Sequence, residues 1–282
     1  MNQIKPLKDI LTSKLEVGEA ILAINVQSIQ QIEIVAALSI ELSKEIIIQF
    51  SAKYISYFEN LIGINRILDK YQDHEYLYFH LDHCLDETLI SHCINWGFDS
   101  VMFDGSSLPI HENTRRTKQI VSIAHNKGTL VEGEVGVIGG VEDGHGGHGS
   151  SIFNMSDALS FYNEACIDMI ALGIGNAHGI YETTESVDIN LLSAFQSNFS
   201  QNNACLVLHG ATGLDDQQIF KAIKNGVVKV NFSTEFKVLY QSVINQLGSK
   251  KIHDEIYFYD LLTLSMRPKI INIIRKVSGK CI

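Results

Sequence analysis

The feature that most restricts this chain is a succession of eight short apolar runs, each separated from the next by a longer stretch of mixed polarity. The runs are residues 20–25, 45–50, 76–81, 100–104, 130–135, 169–175, 205–210 and 227–232. Each is rich in β-branched, aromatic or Leu residues, as a strand buried on both faces should be. The intervening segments read as helices, most clearly 28–44, 86–96 and 215–226. In the last of these, Ile219, Ala222 and Ile223 recur at helical spacing, and Asn225-Gly226 supplies a stop. Asp215 and Asp216 at its start suit the positive end of the helix dipole. Strands alternating with helices predict βαβ units and a parallel sheet. Eight such units, with no Pro/Ser-rich linker in 282 residues, predict one α/β domain over residues 1–282. The expected fold is a (β/α)8 TIM barrel with an extra C-terminal helix near residues 254–277.

Composition narrows the class of partner. A net charge of −10 argues against nucleic acid and against an anionic membrane surface, while a local pocket can still accept a small anion. No segment approaches the roughly 18 consecutive apolar residues of a membrane span. The first residues, MNQIKPLKDILTS, lack the apolar region of a signal peptide. Five scattered cysteines (Cys84, Cys93, Cys166, Cys205 and Cys281) form no CxxC and fit reduced thiols in a cytoplasmic protein.

In this fold the active site lies at the C-terminal ends of the strands. Reading what ends each run gives Asn25; Gln49 to Ser51; His80 to His83; Asp104 to Ser106; Glu132 and Glu134; Asn176 to Gly179; His209 to Thr212; and Asn231 to Thr234. All eight ends bring polar or charged groups to one face. His83, His178 and His209 form the natural metal triad, because catalytic zinc takes three protein ligands and keeps a fourth position open. Asp82 precedes His83, and neighbours on a strand point to opposite faces. One of that pair is therefore expected to line the pocket and the other to approach it from a turn. A carboxylate there suits a proton shuttle or a partner orienting a ligand histidine.

Residues 136–149 are the most Gly-rich stretch and predict a mobile loop over the site, carrying Glu142 and Asp143. His145 and His148 in that loop read as a solvated tip or a second metal site. Two other signals are weak. Gly173-Ile-Gly175-Asn-Ala-His-Gly179 misplaces the third glycine of a dinucleotide fingerprint. Lys229, within the eighth run, reads as structural, with a Schiff-base role as the alternative.

These pieces together resemble the class II, metal-dependent fructose-bisphosphate aldolase family, in its shorter type that includes tagatose-bisphosphate aldolases. The matching residues run in family order over about 18–235: Ala-Ile-Asn25, Gln49-Phe-Ser51, His80-Leu-Asp-His83, Asp104-Gly-Ser, Glu132-Gly-Glu134, Gly139-Gly-Val-Glu142-Asp143, Asn176-Ala-His178-Gly179, His209-Gly210 and Lys229-Val-Asn231. The resemblance implies a catalytic Zn2+ on His83, His178 and His209. Glu134 and Asp104 then lie near an alternative, inward metal position, and a second divalent or a monovalent cation is allowed for. Asp82 resembles the group that moves the proton at the substrate's C4 hydroxyl, and Glu142 the loop base acting at C3. Asn25, Ser51, Gly179, Gly210, Ala211, Thr212, Asn231, Phe232, Ser233 and Thr234 are assigned to substrate binding, most of them as a cradle for the dihydroxyacetone phosphate half. The implied reaction is reversible cleavage of fructose 1,6-bisphosphate to dihydroxyacetone phosphate and glyceraldehyde 3-phosphate through a zinc-stabilised enediolate. A tagatose-bisphosphate or other ketose-phosphate aldolase is the alternative, followed by a non-catalytic metal-binding barrel. A homo-oligomer, dimer or tetramer, is also implied.

Three departures from the family pattern lie around the aldehyde half or the phosphate ends. His209-Gly-Ala-Thr-Gly213 replaces His-Gly-Gly-Ser-Gly. The C-terminal Asp-Pro-Arg segment is missing, with Arg267 as a candidate substitute. Ala52-Lys53-Tyr54 follows Ser51 where a small-residue turn is usual, and Lys53 either binds phosphate or sits in water.

Overall fold

The computed structural model describes residues 4–140, 150–179, 187–199, 204–248 and 255–279. Eight parallel strands close into a barrel in sequence order. They are β1 (Ile21–Asn25), β2 (Ile46–Ser51), β3 (Leu77–Cys84), β4 (Ser100–Phe103), β5 (Leu130–Val135), β6 (Met169–Leu172), β7 (Cys205–Leu208) and β8 (Val227–Phe232). β8 pairs with β1, with Ile21 opposite Lys229 and Ala23 opposite Asn231, which completes the ring. Every expected run became a strand. Three stop short of their runs: β4 before Asp104, β6 before Gly173 and β7 before His209. At Gly173 the chain passes so close to its neighbours that a Cβ would lie 2.5 Å from the Ser151 carbonyl oxygen.

Outside the ring lie α1 (Leu7–Val17), α2 (Ile29–Leu42), α3 (Ala52–Leu61), α4 (Ile64–Tyr71), α5 (Glu87–Trp96), α6 (Ile110–His125), α7 (Met155–Ala165), α8 (Asn190–Gln196), α9 (Asp216–Lys224), α10 (Thr234–Gly248) and α11 (Glu255–Val277). The start of α9 has a full capping box: Asp215 accepts from the Gln218 backbone N–H while the Gln218 side chain accepts from the Asp215 N–H. The expected C-terminal helix is α11, which buries Leu262, Met266, Ile270 and Ile273.

Two apolar clusters divide the interior. The larger lies between the strands and the surrounding helices. The smaller fills the lower barrel with Ile21, Ala23, Ile47, Tyr78, Met169 and Val207, and α1 closes it with Leu7, Ile10 and Leu11. Tyr78 donates its hydroxyl to the Lys5 carbonyl at 2.9 Å, tying that N-terminal segment to β3. The helix α1 was not among the expected elements. Apolar packing therefore occupies the lower half of the barrel, and polar side chains are left to the upper half.

Candidate metal centre and active site

The site is built on the upper rim, where alternation along each strand sends every second residue inward. On β1 that residue is Asn25, on β2 Gln49 and Ser51, on β5 Glu132 and Glu134. All five are buried. The strand β3 breaks this rule in a way that matters. Its register against β4 shifts between Leu81 and Cys84, and His83 has a φ of 86°. A left-handed non-glycine residue is strained, and such strain concentrates at functional sites. Its effect here is that neighbours Asp82 and His83 both reach the mouth, with His83 Nε2 3.9 Å from Asp82 Oδ1. The sequence predicts one of the pair lining the pocket and the other approaching it from a turn; here both belong to β3, and the irregularity carries His83 to the mouth.

Three histidines from three different strand ends converge. Ligand-capable atoms of His83, His178 and His209 all lie within 4.8 Å of one another. The His83 and His209 ring centroids are 4.7 Å apart, those of His83 and His178 5.3 Å, and those of His178 and His209 5.9 Å. His83 Nε2 and His209 Nδ1 face each other at 2.9 Å. A second group, His83 with Asp104 and Glu134, also has its ligand-capable atoms within 4.8 Å of one another and shares the His83 ring.

Two of the rings, His83 and His209, are held by carboxylates. His83 Nδ1 contacts Asp104 Oδ2 at 2.8 Å, and the Ser106 hydroxyl and backbone N–H both donate to Asp104 Oδ1. His209 Nε2 contacts Glu132 Oε1 at 2.8 Å, and Lys229 Nζ donates to Glu132 Oε2 at 2.8 Å. The His209 carbonyl accepts from Asn176 Nδ2 at 3.1 Å. Burial alone would depress the His83 imidazole, but the Asp82 and Asp104 carboxylates outweigh it and hold that ring well above the ordinary histidine value. Burial pushes His209 down, against the opposing pull of Glu132. Glu134 is pushed well above the usual carboxylate range by burial and by Asp104. Its Oε2 is buried without a hydrogen-bond partner, 4.0 Å from His209 Nδ1. Clustered imidazoles, excess buried carboxylates and an orphaned oxygen fit a divalent cation. The nitrogen-rich donor set favours zinc over calcium or magnesium.

Asp82 is fixed by amides. Asn25 Nδ2 donates to its Oδ2 at 2.7 Å, Asn231 Nδ2 to its Oδ1 at 3.5 Å, and Gln49 Nε2 donates in turn to Asn25 Oδ1 at 2.8 Å. Beside it, β8 packs against the 3-10 turn Ala211–Gly213. Gly210 has a φ of 68° there. Ala211 and Phe232 are buried in the apolar core and offer this rim only their backbone groups. The hydroxyls of Ser51 and Ser233 are buried and unpartnered. Thr212, Thr234 and Gly179 are half-buried.

Other expectations fare differently. Glu142, Asp143, His145 and His148 lie outside the described residues, as does Cys281. Arg267 is not a substitute phosphate anchor. It is paired on the surface with Glu41, near the end of α2 that leads into the start of β2, at the opposite end of the barrel. Lys229 is a fully buried interior lysine bound to Glu132, not a free amine. Lys53 is exposed in the first turn of α3 next to Ser51, its Nζ 5.9 Å from the Tyr54 ring centre. The supporting roles of Gln49, Glu132 and Asn176 escaped the sequence reading. The i, i+2 spacing of Glu132 and Glu134 was a signal that both point inward, but nothing local named their partners.

A barrel with an imidazole triad on its upper rim, two rings buried and the third half-buried, flanked by a fixed carboxylate, fits the class of lyases and hydrolases whose site can hold a divalent metal. Comparison with known proteins narrows the class. The family model described as fructose-bisphosphate aldolase class-II matches residues 5–280. A fructose-bisphosphate aldolase from Ureaplasma parvum is 33% identical over 252 residues, 86% of this chain and 84% of that protein. A 6-phospho-5-dehydro-2-deoxy-D-gluconate aldolase from Shouchella clausii is 38% identical over 161 residues, which span 57% of this chain and 54% of its own length. The crystal structure of a fructose-1,6-biphosphate aldolase from Coccidioides immitis superposes with a TM-score of 0.88 at 24% identity, covering 99% of this chain and 98% of that one, and so shares the fold. The chain belongs to the class II fructose-bisphosphate aldolase family.

Proposed function

We propose that the protein is a zinc-dependent aldolase that reversibly cleaves fructose 1,6-bisphosphate to dihydroxyacetone phosphate and glyceraldehyde 3-phosphate. The observation that carries this reading is the convergence of His83, His178 and His209 within 4.8 Å, with Asp82 fixed beside them. Zinc held by the three histidines would polarise the substrate carbonyl and stabilise the negative charge that cleavage leaves on the dihydroxyacetone phosphate half. Asp82 takes the proton of the C4 hydroxyl as the C3–C4 bond breaks. Asn25 and Asn231 hold that carboxylate in place, so it needs no reorganisation as it acts. Glu142 returns a proton to C3 and belongs to the loop expected to exclude water. The backbone N–H groups of residues 210–212 and 231–234, with the Ser233 hydroxyl, receive the dihydroxyacetone phosphate group without needing a cationic side chain. Asn25, Ser51 and Gly179 complete the substrate contacts. Asp104 and Glu134 offer an inward position, with His83, for the same or a second cation.

A second reading keeps the ketose-phosphate half and changes the aldehyde half. It includes tagatose bisphosphate and other ketose phosphates. Two observations favour testing it: Arg267 is committed elsewhere, and a relative is named for a substrate whose far end is a carboxylate. The protein is further proposed to act in the cytoplasm as a homo-oligomer. No described helix is long and apolar enough to cross a membrane.

The test is cleavage of fructose 1,6-bisphosphate by purified protein, coupled to triose-phosphate detection, with EDTA and then with zinc restored. Loss with EDTA and recovery with zinc supports the proposal. Activity that survives complete metal removal would refute it. Zinc-loaded protein that cleaves only another ketose phosphate would establish the second reading.

A further inference from the structure

Beneath the triad lies a buried polar chain that the steps above do not use. His80, Ser100, Glu132 and Lys229 have no exposed surface. Glu132 comes from β5 and Lys229 from β8, and their 2.8 Å pair spans the barrel interior. As a stabilising device such a pair is weak, because removing both charges from water costs about what their attraction returns. Its contact with His209 suggests another use. A neutral imidazole carries one N–H and one lone pair, and the hydrogen bond to one nitrogen decides which faces a metal. Glu132 Oε1 accepts from His209 Nε2 at 2.8 Å, so the proton sits on Nε2 and the Nδ1 lone pair faces the His83 side. Lys229 holds the other carboxylate oxygen, and Glu132 cannot swing away. Below them, His80 Nδ1 contacts Ser100 Oγ at 2.8 Å. The His80 Nε2 lies 3.6 Å from Glu132 Oε2 without a hydrogen-bond partner.

We propose that Glu132, locked by Lys229, is the positioning pair that sets the ring orientation and tautomer of His209, so that Nδ1 is presented to a divalent cation. This rests on the reading that the triad binds zinc. Neither residue touches substrate, and both act through His209.

Two double variants separate hydrogen bonding from charge. Glu132→Gln with Lys229→Met keeps an acceptor for His209 and leaves no unpaired buried charge. Its amide N–H can turn to the unpartnered His80 Nε2. Glu132→Leu with Lys229→Met keeps similar volume and charge balance but has no acceptor. Zinc(II) affinity is measured by competition with a chromophoric chelator, alongside thermal melting of the metal-free proteins. The Gln/Met protein is expected within about threefold of wild type, and the Leu/Met protein to bind zinc roughly 10- to 100-fold more weakly. Equal zinc affinity of the two variants, whatever their melting temperatures, would overturn the proposal. A wild-type protein that binds no zinc overturns the metal reading and this inference with it. Nitrogen-15 NMR of histidine-labelled, zinc-loaded wild type needs no variant. It should show His209 protonated at Nε2 and metal-bound at Nδ1, and the reverse pattern refutes the assignment.

Discussion

Gly140 offers a sharp test of how the triad is held. It has a φ of 82°, and a Cβ placed there would lie 2.3 Å from the backbone oxygen of His178. The two segments are tied by the bond from His178 N to Gly139 O at 2.7 Å and by a bridge between Gly139 and Ala177. Gly128 is its natural control. Its φ is 78°, nothing lies within 4 Å of its would-be Cβ, and it sits between α6 and β5 at the opposite end of the barrel. Alanine at either position costs about 1–2 kcal/mol for the left-handed conformation. At Gly128 that is the whole effect, so Gly128→Ala should lower Tm by about 2–8 °C and leave kcat/KM unchanged. At Gly140 a 2.3 Å contact must also open toward 3.4 Å, the start of ordinary contact. Because that contact is with backbone, His178 or the Gly140 segment must move by about 1 Å. A displacement of that size at a catalytic group costs on the order of 100-fold. Gly140→Ala should therefore lower kcat/KM for fructose 1,6-bisphosphate about 100-fold and weaken zinc binding, beyond any loss in Tm. Kinetics within threefold of Gly128→Ala would mean that this turn does not position His178.

Three further outcomes are expected. Asp82→Asn should slow cleavage by about 10²- to 10⁴-fold while zinc affinity stays within a few-fold. An equal loss of zinc would recast Asp82 as part of the site's charge balance. Arg267→Ala should leave KM unchanged and Tm nearly so, since its pair with Glu41 is exposed and such pairs are worth at most about 1 kcal/mol. A raised KM would return it to the substrate site. Burial lifts the Asp99 carboxyl from 3.8 to about 6, even though it accepts a 2.7 Å bond from the Phe79 N–H. The folded form thus holds the proton more tightly than the unfolded form, so stability is lost as pH rises between those values. Asp99→Asn, which keeps the acceptor, should melt a few degrees higher than wild type at pH 7.5 and show no such gain near pH 4. A gain of equal size at both pH values would refute this.

How much of this was legible beforehand can be argued from particular residues. The eight runs were readable because a strand's apolar content and a helix's periodicity are local, repeating within a few residues. The capping box of α9 and its Asn225-Gly226 stop are equally local. The rim residues followed from counting to the end of each run. His83, His178 and His209 were thus placed on one face before any distance was known. The plug formed by α1 was missed because its value lies in covering the open lower barrel, and an isolated helix of that length shows no such purpose.

Local patterning was thus enough for the barrel, the face that carries the chemistry and the histidines that meet there. Barrel closure decided the rest. It brought Glu132 to His209 across 77 positions, Lys229 to Glu132 across 97, and His83 to His209 across 126. It also placed Arg267 at the far end, against Glu41. The shifted register of β3 turned Asp82 and His83 to the same mouth, against the alternation their sequence implies. Periodicity reports which face a residue occupies, because that depends on its near neighbours alone. Which partner it meets depends on how distant strands are staggered around the ring, and that is settled only when the ring closes.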